Sequence, residues 1–175
     1  MTERDVEAIK TQILSAFTSA LRPPAGALHV SEQSEEASTL LEADFDGKDD
    51  WRLVDSVFLD QAPDGFGTAL GFFSDDAFRY FLPAYLIADL GGLLAQSDPV
   101  FHLTHGLTDA TRDQHLVGRH REVTWWDYRT ARLASLTPDE AAAVVSYLTR
   151  RVAIDELARE DINQALRNYW LTRRR

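Results

Sequence analysis

The sequence contains no cysteine, which excludes disulfide scaffolds, thiolate zinc sites and thiol nucleophiles. It also lacks an apolar run of the roughly 20 residues that a membrane-spanning helix needs. The longest apolar stretch, residues 80–90, is interrupted by Pro83 and Asp89. The N-terminal residues are charged and do not show the basic segment followed by an apolar stretch that is typical of a signal peptide. We therefore expect a cytoplasmic protein with no membrane segment, in which any metal would be bound by histidine and carboxylate side chains.

Basic side chains are scarce in the first half of the chain. Residues 1–88 hold 16 acidic and 6 basic side chains, whereas residues 89–175 hold 12 of each, so the first half carries the whole formal net charge of −10. An acidic surface repels nucleic acid and anionic lipid, whose binding depends on Lys and Arg. The charge therefore favours a basic protein as partner. The alternative is that the acidity only keeps the protein dissolved.

Helical spacing of apolar residues dominates the sequence, and no hairpin turn lies between alternating strands. The length of 175 residues and the 45% hydrophobic composition are typical of one globular domain. We predict that residues 1–175 form a single all-α domain, a compact helical bundle around a kinked central helix. The predicted helices cover residues 3–21, 35–43, 51–59, 75–90, 138–151 and 154–170.

The predicted central helix follows Ser74, which can cap its N-terminus, and apolar residues occupy every face of the helix. A helix of this kind is normally enclosed by other elements. Pro83 lies inside it and should bend it, because proline has no N–H to donate to the carbonyl of Arg79. Thr137 and Glu140 form a capping box around Pro138, which marks the clearest helix start in the chain.

Arg79 is the only basic residue within residues 53–111, and it lies in a nearly continuous apolar segment. A buried guanidinium needs carboxylate or carbonyl partners, because burying it alone is very unfavourable. Two interpretations remain open. Arg79 either forms an internal ion pair with Asp75, Asp76 or Asp89, or it binds an anionic ligand.

Residues 73–85, with the sequence Phe-Ser-Asp-Asp-Ala-Phe-Arg-Tyr-Phe-Leu-Pro-Ala-Tyr, resemble the central motif of a bacterial family of domains of unknown function. In that family a tryptophan such as Trp51 precedes the motif. The similarity extends to residues 136–148, which begin Leu-Thr-Pro-Asp-Glu, and to residues 165–170, Ala-Leu-Arg-Asn-Tyr-Trp. The resemblance implies a single cytosolic bacterial domain, and it brings no established activity with it.

Histidines are concentrated in one segment, which holds four of the five: His102, His105, His115 and His120. Their spacing matches no HExxH or similar template. Scattered core or surface histidines are one interpretation. The other is a metal-dependent hydrolase that uses histidine and carboxylate ligands within residues 102–120.

The acidic run at residues 44–50 resembles a calcium-binding loop only in composition. With Gly47 at loop position 6, Leu53 falls at position 12, where an EF-hand requires a bidentate glutamate. We therefore interpret the run as a solvated acidic loop and as part of a binding surface. Its candidate binding residues are Asp44, Asp46, Asp49 and Asp50.

Trp125, Trp126 and Tyr128 form an aromatic cluster in the second half of the chain. Two adjacent indoles on a helix point in different directions, so we expect one of them to be exposed as a contact anchor. These three residues and Arg79 complete the set of candidate binding residues.

Catalytic and nucleotide-binding motifs are missing from the sequence, which has no Gly-x-Ser-x-Gly elbow and no glycine-rich phosphate loop. We therefore predict a non-enzymatic binding domain without a cofactor. The roles that fit this prediction are an inhibitor or an immunity-type module for a basic protein. The metal-dependent hydrolase is the alternative.

Overall fold

The computed structural model describes residues 3–29, 35–63, 65–117 and 121–173. No β-strand lies within these ranges, and two isolated bridges join His29 to Phe73 and His115 to Thr124. The all-α prediction is therefore confirmed. None of the described helices is long and apolar enough to cross a membrane. The α-helices are α1 (Glu3–Ala16), α2 (Glu35–Asp44), α3 (Ser56–Gln61), α4 (Ala69–Phe72), α5 (Asp75–Leu90), α6 (Pro99–Thr104), α7 (Trp125–Leu133), α8 (Pro138–Ile154), α9 (Arg159–Ala165) and α10 (Leu171–Arg173).

The chain divides into two units. The central unit is Phe17–Pro99, and the terminal unit combines Met1–Ala16 with Val100–Arg175. Short 3-10 helices occur at Phe17–Ser19 and Trp51–Leu53 in the central unit. A π-helical turn at Leu166–Trp170 joins α9 to α10 in the terminal unit.

In the central unit, α5 is the predicted buried helix, with ten of its 16 residues buried. Ser74 caps it, since the Ser74 hydroxyl accepts the N–H of Ala77 at 3.3 Å and donates to the carbonyl of Ala27 at 2.7 Å. The helix continues through Pro83, although this residue has no N–H for the carbonyl one turn earlier. Apolar packing on several sides therefore holds α5 together where one main-chain hydrogen bond is missing.

The ring of Phe45 lies at the middle of an aromatic cluster in the central unit. It contacts Phe58, Phe73 and Phe81 edge-on, with centroid distances of 5.0, 4.9 and 4.8 Å. Such ring pairs contribute about 0.5–1.5 kcal/mol each beyond the burial of area. Phe45 follows α2 directly, so this cluster fixes the chain at the start of the acidic run.

In the terminal unit, α8 begins at the predicted capping box. The Thr137 hydroxyl accepts the N–H of Glu140 at 3.2 Å, and the Glu140 carboxylate accepts the N–H of Thr137 at 2.8 Å. A second capping box, which the sequence analysis did not predict, starts α7 with Thr124 and Asp127. α1 packs against α8.

Several helix boundaries differ from the prediction. Residues 51–59 form a 3-10 helix at Trp51–Leu53 followed by α3 rather than one helix, and α8 extends to Ile154 rather than ending at residue 151. The first helix ends at Ala16 and continues only as one 3-10 turn, rather than reaching residue 21. The predicted helix at residues 154–170 is broken, because Asp155 has an extended backbone and its carboxylate accepts the N–H of Ala158 at 3.0 Å. Asp often competes with helical hydrogen bonding in this way, and apolar spacing does not reveal it.

Candidate functional site

The charge of the chain follows the division into two units. The central unit holds 15 acidic and 4 basic side chains, a net charge of −11, whereas the terminal unit holds 13 acidic and 14 basic side chains, a net charge of +1. By sequence position alone, the acidic excess lies in the first half of the chain. In the structure the acidic excess lies in the central unit, so the two units differ more in net charge than the two halves of the sequence do.

Residues 44–50 form what we term the acidic loop, which connects the end of α2 to the 3-10 helix at Trp51–Leu53. Asp46 and Asp49 are exposed, and Asp44 and Asp50 are half-buried. The four aspartates singled out in the sequence thus lie in one surface segment of the central unit, which runs from the last residue of α2 to the 3-10 helix. Their role in binding remains a prediction.

Arg22 and Tyr80 hold the acidic loop from inside the central unit. The Arg22 guanidinium donates to the carbonyls of Lys48 and Phe45 at 3.1 and 3.0 Å, and it lies 3.4 Å from the Asp49 carboxylate. The Tyr80 hydroxyl donates to the carbonyl of Asp49. Main-chain carbonyls of the loop are therefore satisfied by protein side chains, which fixes the loop conformation.

Exposed apolar side chains lie directly after the acidic loop. Leu53 is 83% exposed and Val57 is 60% exposed. Asp55 caps α3 between them by accepting the N–H groups of Val57 and Phe58. The Lys48 ammonium lies 4.6 Å from the Phe58 ring centroid, which places the loop beside α3. Apolar side chains with a charged rim are typical of protein-binding surfaces.

The central unit also contains a mostly apolar pocket of about 340 Å³. Phe66, in its wall, is 69% exposed. The pocket is not apparent from the sequence, because its walls come from separate segments that only the fold brings together. Residues of α2, of the segment 63–68 and of α4 line it: Glu36, Ala37, Leu40, Pro63, Phe66, Thr68 and Phe72.

The adjacent indoles of α7 point to different neighbours, as the helical spacing predicted. The Trp125 ring lies edge-on to His105 with a centroid distance of 4.6 Å. The Trp126 ring instead lies under the guanidinium of Arg112 at 5.0 Å. Both indoles, and Tyr128, are half-buried, so neither tryptophan is as exposed as the predicted anchor. Binding through these rings remains a prediction.

Two arginines and two histidines lie close together in the terminal unit. Arg129, buried to 3% exposure, donates from Nε to the carbonyl of His105 at 3.2 Å. Arg132 is equally buried, and its Nη1 donates to the Tyr128 hydroxyl at 3.3 Å. His102 and His105 were singled out in the sequence, whereas Arg129 and Arg132 were not, because only the fold brings the arginines to the histidines.

Burial and neighbouring positive charge lower the pKa of both histidines of this cluster. Burial, and then the charges of Arg129, Arg132 and His105, lower the pKa of His102 to about 3. Burial and the charge of Arg129 also lower the pKa of His105. The pKa of Arg129 itself falls to about 10, chiefly because it is buried. A pKa of about 3 makes His102 poorly suited to acid–base catalysis at neutral pH.

The proposed histidine ligands do not meet as a metal centre in the described part of the chain. His102 lies edge-on to Phe101 and His105 stacks on the same ring, with centroid distances of 5.4 and 4.7 Å. His115 is exposed, and His120 lies outside the described residues. Among the residues that the structure describes, no group of three or more His, Cys, Asp or Glu side chains could hold a metal ion.

Arg79 lies on α5 between the buried residues Phe78 and Tyr80, but it is itself only half-buried. The guanidinium is therefore less enclosed than the apolar sequence around it suggested. Because water reaches part of the Arg79 side chain, its guanidinium depends less on a buried carboxylate partner than a fully buried one would.

A model described as a family of unknown function, DUF6714, matches residues 6–174. The chain belongs to this family. No curated protein and no solved structure matches the chain. The DUF6714 match spans the acidic loop, the pocket and the arginine and histidine cluster, and it assigns a role to none of them.

Proposed function

We propose that this DUF6714 chain is a non-enzymatic binding domain whose central unit engages a basic protein. The observation that carries the proposal is the net charge of −11 on the central unit, against +1 on the terminal unit. Complementary charge speeds the encounter of two proteins and suppresses binding of partners with the wrong sign. Nucleic acid and anionic membranes are disfavoured for the same reason.

The conformation of the acidic loop supports this proposal. Arg22 and Tyr80 hold the loop before any partner arrives, so little chain entropy is lost on binding. Leu53 and Val57 supply apolar contact area beside it, and burying that area would stabilise a complex. Charge thus directs the encounter, while the neighbouring apolar side chains slow dissociation.

Within this proposal the protein acts in the cytoplasm as an inhibitor or immunity-type module that covers a basic surface, in keeping with the bacterial resemblance of its sequence. Arg79, Trp125, Trp126 and Tyr128 are secondary candidates for contact. The family match runs through both units, which supports treating residues 1–175 as one domain.

The test is partner capture from an extract of the source organism, using the immobilised chain at low and high salt. The loop variant combines Asp46→Asn with Asp49→Asn, both at exposed positions. The matched control combines Glu122→Gln with Glu156→Gln, which are exposed in the terminal unit and change the net charge equally. We expect a basic protein to be retained at low salt. The amount retained should fall about tenfold with the loop variant and at high salt, but not with the control variant.

Equal retention by the two double variants, or no basic protein retained at low salt, would remove the basis of the proposal. The metal-dependent hydrolase gains no support from His102 and His105, which contact aromatic rings. Elemental analysis that found stoichiometric metal in the purified protein would reverse this preference.

A further inference from the structure

The pocket of the central unit lies on the same helix that leads into the acidic loop. Its lining residues Glu36, Ala37 and Leu40 belong to α2, which ends at Asp44. Leu40 and Asp44 are four residues apart, so they are neighbours on one side of the helix, separated by about 6 Å along its axis. The end of α2, where the acidic loop begins, therefore lies about one helical turn from the pocket.

We propose that the pocket and the acidic loop together bind a basic amphipathic helix of the partner protein, which places a large apolar side chain in the pocket and its Lys or Arg side chains on the acidic loop. The inference rests on the proposed function and specifies the binding segment of that partner. It adds an apolar anchor to a surface that the charge alone would leave unselective.

The pocket has the size and chemistry that an apolar anchor requires. Its volume of about 340 Å³ falls within the range of about 300–1,000 Å³ that is usual for ligand sites. Phe66 is 69% exposed in its wall, which leaves a large apolar area in water that a bound side chain would cover. Burial of an aromatic or aliphatic anchor in such a pocket typically dominates the binding energy of an interface.

Charge selects the occupant of the pocket. Glu36 is a charged residue of its lining, and the central unit around it has a net charge of −11. A second copy that docked through its own central unit would bring two such charges together, which is unfavourable. An anionic ligand is disfavoured for the same reason, whereas a cationic amphipathic segment satisfies both the pocket and the loop.

The test measures binding of a defined probe by isothermal titration calorimetry. The probe is a synthetic helical peptide with leucine and one tryptophan on one face and lysine on the other. Phe66→Ser removes an exposed wall of the pocket, and Ala37→Phe fills it. Leu93→Ser is the matched control, because Leu93 is an exposed residue, 58% accessible, in the same unit and does not line the pocket.

We expect both pocket variants to weaken binding by about tenfold and the control to stay within about twofold of the unchanged protein. Two further peptides separate the contributions. One has the same composition in scrambled order, and the other carries glutamine in place of lysine. Both should bind more weakly, because the first loses the apolar face and the second loses the charge.

Several outcomes would overturn the inference. Equal binding by the pocket variants and the control, or equal binding of the scrambled peptide, would mean that charge alone holds the probe. Equal binding of the glutamine peptide would mean that the pocket accepts apolar groups whatever their charge, and no measurable binding of the lysine peptide would exclude this class of ligand. If partner capture still depends on Asp46 and Asp49 in those cases, the proposed function stands and only the anchor pocket fails.

Discussion

The carboxylate of Asp60 accepts the backbone N–H of Ser97 at 2.9 Å, across 37 positions of sequence. The same oxygen accepts the N–H groups of Ala95 and Gln96 at 2.9 and 2.8 Å. Burial on its own would raise the pKa of Asp60, but these three hydrogen bonds outweigh it and hold the pKa below its usual value. One side chain at the end of α3 thus fixes the loop that follows α5.

Replacing Asp60 should therefore destabilise the fold. Asp60→Ala is expected to lower the free energy of unfolding by about 2–4 kcal/mol, because three N–H groups lose a charged acceptor. Asp60→Asn should cost less, since the amide oxygen still accepts. Urea unfolding at neutral pH measures both, with the exposed Asp46→Ala as control. A similar stability for Asp60→Ala and Asp46→Ala would contradict the role of this contact.

Two glycines with similar backbone conformation provide a steric test. Gly67 and Gly47 have φ angles of +65° and +69°. A Cβ on Gly67 would lie 2.3 Å from the carbonyl oxygen of Asp60, whereas a Cβ on Gly47 would meet no atom within 4 Å. Both alanine variants carry left-handed strain of about 1–2 kcal/mol. We expect Gly67→Ala to lower the free energy of unfolding by about 2 kcal/mol more than Gly47→Ala does. Equal melting temperatures for the two variants would contradict the close approach of Gly67 to Asp60.

Acid should destabilise the protein through His102. Its folded pKa of about 3 lies below the unfolded value of 6.5, so the unfolded state binds more protons between these limits. The stability from neutral His102 is complete above pH 6.5 and is lost as the pH falls, by an amount on the order of 1 kcal/mol between pH 8 and pH 5.5. His102→Leu should reduce this loss, and the exposed His115→Gln should not. Urea unfolding at the two pH values measures this loss of stability. If the loss in His102→Leu equals that in the unchanged protein, His102 does not contribute to it.

Arg22 should control the order of the acidic loop. Arg22→Ala removes the two hydrogen bonds to the carbonyls of Phe45 and Lys48, so amide hydrogen exchange in residues 45–50 should accelerate by about tenfold. Arg52→Ala is the control, since the Arg52 side chain pairs with the carboxylate of Asp50. Equal exchange rates in the two variants would show that the loop is held by other contacts.

Local sequence determined most of the long helices and the starts of α5 and α8. Ser74, Thr137 and Glu140 were identifiable because a capping residue interacts with groups two or three positions away. The burial of α5 followed from apolar residues on all its faces, and the acidic bias followed from a count of side chains. The all-α class needed no knowledge of the tertiary structure for these reasons.

Tertiary packing decided everything that depends on residues distant in sequence. It brought Leu40 and Phe66 into one pocket, placed Arg22 against the acidic loop and Arg129 beside the histidines, and assigned the negative charge to one unit. Apolar spacing states which face of a helix is buried but does not state which neighbour buries it. The contacts that shape a binding surface depend on that choice of neighbour, so only the folded chain contains them.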